Sequence, residues 1–306
     1  MLTRTIDLYR KETKETLVST CRLLGVDRQV YYRRKQTIVR KQETAELVVK
    51  MVTEVRQQMP RIGTRKLYYL LYDQLKELHI GRDKLFAILE ANHLLVKPTR
   101  RYVTTTNSHH RFRKHKDLVA KLVPQRPEQI WASDITYLGS NGDFKYLALV
   151  TDTYSKKIVG YDVSDNLGAE GSLRALKMGL RQRSYKDKEL IHHSDRGYQY
   201  CCDAYQSLLK RKRVKCSMTE SYDPYSNAVA ERVNGILKHE FLLERQKADL
   251  AVMKKMVKSS IQIYNHQRPH YSCYMKTPDQ MHKQSKIRIR SYKKTNRNKS
   301  KLDAVS

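Results

Sequence analysis

The chain has 306 residues, enough for a catalytic domain of ordinary size and one or two small modules. Its 61 Lys+Arg against 31 Asp+Glu give a formal charge of +30, which favours a nucleic acid as partner because neutralising phosphates releases counterions, whereas a ribosome-associated or simply soluble basic protein is the alternative. The sequence contains no apolar run of about 18 residues, so no membrane span is predicted. It also has no apolar segment near the N-terminus, so no secretory signal is predicted.

Residues 1–40 are predicted to form a helix-turn-helix. A helix over residues 15–24 precedes Gly25, and Asp27 is placed to cap a second helix. An ordinary helical hairpin with a solvated basic face fits the same spacing. The second helix carries three candidate DNA-binding cations, Arg28, Arg33 and Arg34.

Residues 43–98 are predicted to form a second helical module of the helix-turn-helix kind. Apolar residues from Leu47 to Val55 repeat at the helical period, residues 61–66 break that helix, and Gly81 begins another. Arg65 and Lys66 are the candidate DNA-binding cations of this module.

Two basic segments flank the rest of the chain. Residues 99–126 are predicted to be a basic linker that lies along phosphates or is simply a flexible connector, since six Lys or Arg and three His without any acid fall between Arg100 and Lys116. Residues 283–306 are predicted to be a disordered basic tail, with nine Lys or Arg and no acid from Lys283 to Lys301.

Residues 127–282 have the pattern of an α/β domain. Three strands in a meander, followed by alternating helices and strands, predict a mixed five-stranded sheet covered on both faces. Asn141 and Gly142 between the first two strands are a strong hairpin signal. The predicted strands cover residues 129–138, 144–151, 157–163, 189–193 and 214–218, and the predicted helices residues 167–180, 204–209, 227–241 and 248–264.

Three carboxylates fall where this pattern can bring them together. Asp134 lies inside the first strand, Asp195 follows the fourth, and Glu231 faces away from the apolar stripe of its helix. Clustered acids repel one another unless a cation neutralises them, and Mg²⁺ prefers oxygen ligands. Two such ions about 3.5–4 Å apart can clamp the attacking and leaving oxygens of a phosphoryl transfer. The three acids are therefore the candidate catalytic and metal-binding residues.

Each acid also has an ordinary explanation when taken alone. Asp134 can face solvent on an edge strand, Asp195 can cap a turn, and Glu231 can belong to a solvated helix face. Lys238, two helical turns after Glu231, is expected on the same face, where it can hold the DNA backbone. Asp152, at the end of the second strand, either assists this site or caps a turn.

Other chemistries have little support in the sequence. No P-loop, G-x-G-x-x-G or G-x-S-x-G motif occurs, so nucleotide-fuelled or serine chemistry is not indicated. The five cysteines are an odd number without a C-x-x-C pair, which predicts reduced thiols rather than disulfides or a structural zinc site.

Several segments resemble the catalytic core of the DDE transposases and retroviral integrases. The closer resemblance is to the second-frame product of bacterial two-frame insertion sequences, and it covers residues 129–278. CRLLGVDRQVYYRR and PRIGTRKLYYLL resemble, less specifically, the N-terminal helix-turn-helix regions of that family. The core segments are WASDITYL, YLALVTDTYSKKIVGYDVS, HHSDRGYQY, SMTESYDPYSNAVAERVNGILKHEF and YNHQRPHYSCYMKTP.

This resemblance implies a ribonuclease H-like fold with Asp134, Asp195 and Glu231 as the metal-binding triad. It also implies cleavage at the ends of an element, followed by attack of the released 3′-OH on target DNA by transesterification. The implied cofactor is Mg²⁺, as two ions, with Mn²⁺ as a substitute. Further candidate DNA-binding residues beside the triad are Arg196, Asn227 and Arg232.

The expected partners are the terminal inverted repeats and target DNA, further copies of the chain in a multimer, and the helix-turn-helix and leucine-zipper protein of the upstream frame. The expected location is the bacterial cytoplasm, in association with the nucleoid. A DNA-binding regulator or an inactive remnant is the alternative function, and a simple nuclease using the same metals is another. The intact triad argues against a remnant, because DNA binding alone does not require these acids.

Overall fold

The computed structural model describes residues 2–97, 115–120, 122–140, 143–219 and 228–289. They divide into two compact units. The first extends to Gln57 and resumes from Gly63 to Lys97, and the second contains Gln58–Ile62 and the described residues after Pro98. Among the described helices, none has both the length and the apolar character needed to cross a membrane.

The first unit is built from helices. The turn between the second and third contains Gly25 at a φ of 63°, and Oδ1 of Asp27 accepts a hydrogen bond of 2.5 Å from the backbone N–H of Gln29. Ile6, Cys21 and Tyr31 form its buried cluster. Its described helices are α1 (Leu2–Thr13), α2 (Leu17–Leu23), α3 (Arg28–Gln58), α4 (Thr64–Leu70), α5 (Tyr72–Glu77) and α6 (Arg82–Ala91).

One helix crosses the boundary predicted between the two modules at residues 40–43. Helix α3 runs without interruption from Arg28 to Gln58, because this stretch contains no glycine or proline and the first helix breaker is Pro60. The two predicted modules are thus joined by one helix. Their assignment as helix-turn-helix modules stays a prediction.

The second unit is built around a five-stranded mixed sheet with the strand order β3-β2-β1-β4-β5. Strands β1, β2 and β3 form an antiparallel meander, whereas β4 and β5 run parallel to β1. This arrangement confirms the predicted ribonuclease H-like fold class. The strands are β1 (Ile130–Ser140), β2 (Asp143–Asp152), β3 (Ile158–Ser164), β4 (Ile191–Ser194) and β5 (Lys215–Met218).

Helices cover the sheet on both faces, as predicted. Helix α7 packs on β2 and β3, and its backbone comes so close that a Cβ on Gly160 would lie 2.1 Å from the carbonyl oxygen of Ala175. Helix α10 packs on β1 and β2, and α11 packs on β3. The described helices of this unit are α7 (Ala169–Arg181), α8 (Tyr198–Cys201), α9 (Asp203–Arg211), α10 (Ala228–Gly235), α11 (Leu250–His266) and α12 (Pro278–His282).

Parts of both predicted basic segments pack against this unit. The backbone N–H of Leu118 donates to Oγ of Ser217 over 2.9 Å, so this part of the predicted linker lies against β5. The predicted disorder of residues 283–306 is wrong at the start of that range, because Ile287 and Ile289 pack on a buried cluster of the core. Hydrophobic burial holds these two isoleucines in place, although the residue between them, Arg288, is basic.

Four predictions fall wholly or partly outside the described residues. They concern Asn227, the Asn141 and Gly142 turn, residues 99–114 and 121 of the linker, and the tail from residue 290.

Candidate active site

The register of the two central parallel strands brings two acids to the same level. Strand β1 pairs with β4 so that Trp131 lies opposite His192 and Ala132 opposite His193. When this register is continued by two residues, Asp134 on β1 lies level with Asp195, which follows β4 directly. Adjacent parallel strands lie about 4.8 Å apart, so the two backbones are close neighbours.

Asp134 is held by a residue of the neighbouring helix. Nδ2 of Asn234 on α10 donates a 2.7 Å hydrogen bond to Oδ2 of Asp134. Burial, the nearby charge of Asp195 and, to a smaller extent, that of Glu231 raise the pKa of Asp134, whereas the Asn234 hydrogen bond and the backbone of Ile135 lower it; the net result is a pKa of about 7. Asp134 is thus a carboxyl that other acids and a low-polarity environment keep from ionising readily.

Asp195 begins the turn after β4. Its Oδ1 accepts a 2.9 Å hydrogen bond from the backbone N–H of Gly197. A Cβ on Gly197 would lie only 3.0 Å from the same oxygen, so glycine lets the backbone approach the carboxylate closely. The side chain is partly exposed at the C-terminal end of the strand, where ligands and substrates are commonly bound in α/β sheets.

Glu231 lies in the first turn of α10 and is exposed. The buried residues of this helix are Ala230, Val233 and Asn234. Loss of surrounding water and the charge of Asp195 raise the pKa of Glu231. Asp195 raises the pKa of both Asp134 and Glu231, so its carboxyl lies close enough to interact electrostatically with each of them.

The donor atoms fit a hard divalent cation. Among the described residues, however, no three His, Cys, Asp or Glu side chains lie close enough together to form a complete metal site as they stand. Asp195 and Glu231 raise the pKa of Asp134, Asp195 raises that of Glu231, and three such carboxyls are the donor set that Mg²⁺ prefers. Within the described residues, the buried Oδ1 of Asn234 also has no hydrogen-bond partner. Such an orphaned acceptor beside Asp134 is suited to a water bound to a cation.

Lys238 does not lie where an ideal helix would put it. After α10 the chain continues as a π-helical turn, Ile236–Glu240, closed by a bond from the N–H of Phe241 to the carbonyl of Ile236. A π-helix turns less per residue than an α-helix, so Lys238 is rotated from its position on an ideal helix, and its place on the same face as Glu231 stays a prediction. Lys238 is partly buried on this turn.

The other predicted DNA-binding cations are distributed over both units. Arg196 and Arg232 belong to the second unit, beside Asp195 and Glu231 in sequence; Arg196 is partly buried and Arg232 exposed. Those of the first unit lie on α3 and α4, where all except Lys66 are exposed; they are Arg28, Arg33, Arg34, Arg65 and Lys66.

Asp152 does not join the three acids. It lies opposite Trp131 at the other end of β1 and is fully buried. Its carboxylate accepts hydrogen bonds from the N–H of Glu128, over 2.6 Å, and from the N–H and Oγ of Ser155, over 2.7 Å. It therefore caps a turn, which is the second of the two roles expected from the sequence.

Asn234 was missed by the sequence reasoning. It lies three residues after Glu231, on the neighbouring position of the next helical turn, and this spacing could have identified it. His193, by contrast, is a core histidine, buried with its Nδ1 2.9 Å from Oγ of Ser217.

Comparison with protein families finds the integrase core domain twice, over residues 124–224 and over residues 212–278. The insertion element IS600 uncharacterized 31 kDa protein of Shigella sonnei is 32% identical over 254 residues, covering 82% of this chain and 92% of that protein. The transposase InsF for insertion sequence IS3A of Escherichia coli is 28% identical over 279 residues, covering 89% of this chain and 96% of that protein.

Solved structures with a similar backbone include retroviral integrases. The HTLV-2 integrase catalytic core domain in complex with magnesium is 19% identical with a TM-score of 0.41, over 51% of this chain and 97% of that chain. The simian T-cell lymphotropic virus intasome in complex with a PP2A regulatory subunit has a chain that is 18% identical with a TM-score of 0.46, over 76% of this chain and 79% of that chain.

Proposed function

Because this chain belongs to the IS3-type family of insertion-sequence transposases, which contain an integrase core domain, we propose that Asp134, Asp195 and Glu231 are its catalytic carboxylates. The protein functions in DNA transposition and is a polynucleotidyl transferase. The reaction proposed in detail is cleavage at the ends of the element, followed by transesterification into target DNA. In cleavage, water forms a bond to phosphorus as the bond to the 3′ oxygen breaks; in transfer, the released 3′-OH forms a phosphodiester as a target phosphodiester breaks, so no covalent intermediate with the protein is needed.

The observation that carries this assignment is the parallel register of β1 and β4, which, continued by two residues, puts Asp134 level with Asp195 directly after β4. Glu231 adds its charge from α10; it and Asp195 raise the pKa of Asp134, and Asp195 raises the pKa of Glu231. A purely structural protein gains nothing from acids that repel one another at one edge of its sheet. A cation removes the repulsion, which is why we assign the acids as metal ligands.

The three carboxylates would hold Mg²⁺, as two ions, with Mn²⁺ as a substitute. When bound, the cations supply charge neutralisation at the reacting phosphate and lower the pKa of an attacking water. Asn234 orients Asp134 through its Nδ2, and the N–H of Gly197 orients Asp195. Lys238 on the π-helical turn, together with Arg196 and Arg232, would contact DNA phosphates close to these acids.

The proposed partners are the terminal inverted repeats, the target DNA and further copies of the chain. The cations of the first unit, on α3 and α4, would contact the repeats, and Asn227 is assigned to DNA binding from the sequence alone. A multimer is proposed because two ends of one element must be processed together. The upstream-frame helix-turn-helix protein is proposed only as an accessory partner.

The decisive experiment is strand transfer from a labelled element-end duplex into a plasmid. Wild type is compared with Glu231→Gln, in Mg²⁺ and in EDTA, with Glu244→Gln as a control in the same segment. Joined products are expected from wild type and Glu244→Gln in Mg²⁺ alone. Joining by Glu231→Gln at the wild-type rate would refute the assignment of Glu231, and cuts without joined products would indicate a simple nuclease.

A DNA-binding regulator is the second candidate function, supported by the exposed cations on α3. It predicts tight binding of the element end by wild type and by Glu231→Gln, with no cleavage by either protein even when the upstream-frame protein is added.

A further inference from the structure

The motif YNHQRPH, residues 264–270, contains a buried ion pair with the segment that carries Glu231 and Lys238. The guanidinium of Arg268 donates from Nε and Nη2 to the two carboxylate oxygens of Glu240, over 2.9 and 2.7 Å. The Arg268 side chain is 1% exposed and that of Glu240 is 13% exposed. Arg268 is therefore almost completely removed from water, and its guanidinium forms a bidentate ion pair with the carboxylate of Glu240.

The surroundings of Arg268 fix the guanidinium in one orientation. Nη1 of Arg268 donates to Nε2 of His270 over 2.8 Å, and the guanidinium lies 5.7 Å from the centre of the Tyr264 ring. Tyr264 is itself anchored by a 2.8 Å bond from its hydroxyl to the carbonyl of Lys156. Asn265 forms a pair of 3.0 Å bonds with the backbone of Ile158 on β3. The motif thus ties Arg268 rigidly to the edge of the sheet.

Glu240 is the last residue of the π-helical turn. Its backbone carbonyl accepts a 3.0 Å hydrogen bond from the N–H of Arg61, which belongs to the same unit. Glu240 is thus held through its side chain by Arg268 and through its backbone by Arg61. The chain between Glu231 and Glu240 is one continuous helical segment, so fixing its end fixes the angle at which Glu231 and Lys238 are presented.

Stability alone is a poor explanation for this ion pair. A buried salt bridge gains little over a well-packed apolar pair, because desolvation offsets most of the attraction between the charges. What a two-armed guanidinium–carboxylate contact adds is geometric specificity. A π-helical turn also needs tertiary contacts to persist, since its hydrogen-bond pattern is rare in helices.

We propose that Arg268 is a positioning residue of the transposase. It acts through Glu240 to hold the π-helical turn, and thereby sets the orientation of Glu231 and Lys238 toward the other two acids. This inference rests on the proposed function of Glu231. The contact between Arg268 and Glu240 exists whether or not that function is correct. The role assigned to the motif is to align the active site, without touching DNA or metal.

The test removes both charges at once. Arg268→Gln alone removes the guanidinium that neutralises the buried Glu240 carboxylate and is expected to be unstable, whereas Arg268→Gln with Glu240→Gln removes both charges of the pair. Arg268→Lys keeps the positive charge but cannot form the two parallel hydrogen bonds of the guanidinium to the carboxylate. The matched control is the exposed pair Lys215 and Glu189, whose side chains are 55% and 59% exposed, changed to glutamine in the same way.

Three quantities are measured on the full chain: the unfolding temperature, amide hydrogen exchange in residues 236–241, and the rate of end cleavage at saturating DNA. The double variant is expected to unfold close to the wild-type temperature. Its exchange in residues 236–241 should be at least tenfold faster and its cleavage at saturating DNA at least tenfold slower, while its DNA affinity should fall no further than that of Lys238→Ala. Arg268→Lys should be intermediate, and the exposed control pair should match wild type.

Wild-type exchange and cleavage in both the double variant and Arg268→Lys would overturn the positioning role. If the double variant does not fold, Arg268→Lys decides the question, because wild-type exchange and cleavage in that variant would also overturn it. Absence of Mg²⁺-dependent cleavage by wild type itself would instead reject the proposed function. The exchange measurement would still test the contact in that case.

Discussion

Asn234 on α10 donates a 2.7 Å hydrogen bond to Asp134 on β1, across one hundred residues of sequence. This bond joins the helix that carries Glu231 to the strand that carries the first acid. It lowers the pKa of Asp134 against the opposing effects of burial and Asp195.

Replacing Asn234 therefore tests whether the orientation of Asp134 matters. Asn234→Ala is expected to reduce the rate of end cleavage roughly 10- to 100-fold, a typical effect of losing a residue that orients a metal ligand. Binding of the element end should not change. Asn166→Ala, an exposed asparagine in the loop before α7, is the control. Wild-type cleavage by Asn234→Ala would mean that the hydrogen bond has no part in the reaction.

Asp195→Asn is expected to abolish cleavage and strand transfer while sparing DNA binding, because the amide keeps the shape but supplies no charge for a cation. The control is Asp187→Asn, at an exposed position before β4. Binding is measured by electrophoretic mobility shift and cleavage on a labelled duplex. Cleavage by Asp195→Asn at the wild-type rate would show that the site is wrongly assigned.

The raised pKa of Asp134 gives a test that needs no DNA. A carboxyl whose pKa rises from 3.8 to about 7 on folding contributes its full stability below pH 3.8 and loses it as the pH rises through 7. Without divalent cations, Asp134→Asn should thus become progressively more stable than wild type between pH 4 and pH 7, by up to about 4 kcal/mol, and the difference should stay constant above pH 7.

Added Mg²⁺ should raise the unfolding temperature of wild type at pH 8, because the cation stabilises the ionised carboxylates. Asp134→Asn should respond much less. Equal responses of the two proteins to Mg²⁺ in thermal unfolding would argue against Asp134 as a ligand.

Lys238→Ala should weaken binding of the element end and reduce the slope of log affinity against log salt by about 1, as expected for the loss of one phosphate contact. The control is Lys186→Ala. Lys186 is exposed in the loop before β4, at the opposite end of that strand from Asp195. Binding is measured by fluorescence anisotropy over a range of salt concentrations. An unchanged slope for Lys238→Ala would place Lys238 away from the DNA.

The parts of the fold that depend on local patterns were predictable from the sequence. Alternating apolar residues predicted the strands of the sheet, and the position of Asp195 beyond a short apolar strand predicted its exposure at a strand end. Features that depend on distant partners were not predictable. The π-helical turn at Ile236–Glu240 is held by Arg268, and the burial of Asp152 is explained by His282, 130 residues away. No periodicity in the sequence encodes either relationship.

A buried acid–histidine contact makes the stability of the second unit depend on pH. His282, the last residue of α12, places Nε2 3.5 Å from Oε1 of Glu128 and Nδ1 3.8 Å from Oδ1 of Asp152. Burial alone would lower the pKa of His282, but the two acids raise it to about 9. Burial alone would raise the pKa of Glu128, but His282 and the N–H groups of Ser184 and Tyr185 lower it to about 2.

The two groups set opposite limits of a pH window. The contribution of His282 is complete below its ordinary pKa of 6.5 and is lost as the pH rises through 9. The contribution of Glu128 is complete above its ordinary pKa of 4.5 and is lost as the pH falls through 2. Both are therefore fully present between pH 4.5 and 6.5, where this contact stabilises the fold most.

His282→Gln should remove the part of the loss of stability at alkaline pH that comes from His282. Between pH 6 and pH 9.5 the free energy of unfolding of wild type should fall by up to about 3 kcal/mol more than that of His282→Gln. The measurement is urea denaturation of the full chain at both pH values. His266→Gln is the control, since the side chain of His266 is 65% exposed and its loss should leave the alkaline slope intact. Parallel pH profiles for wild type and His282→Gln would show that the imidazole is not charged in the folded protein, and the stabilising contact would then be hydrogen bonding alone.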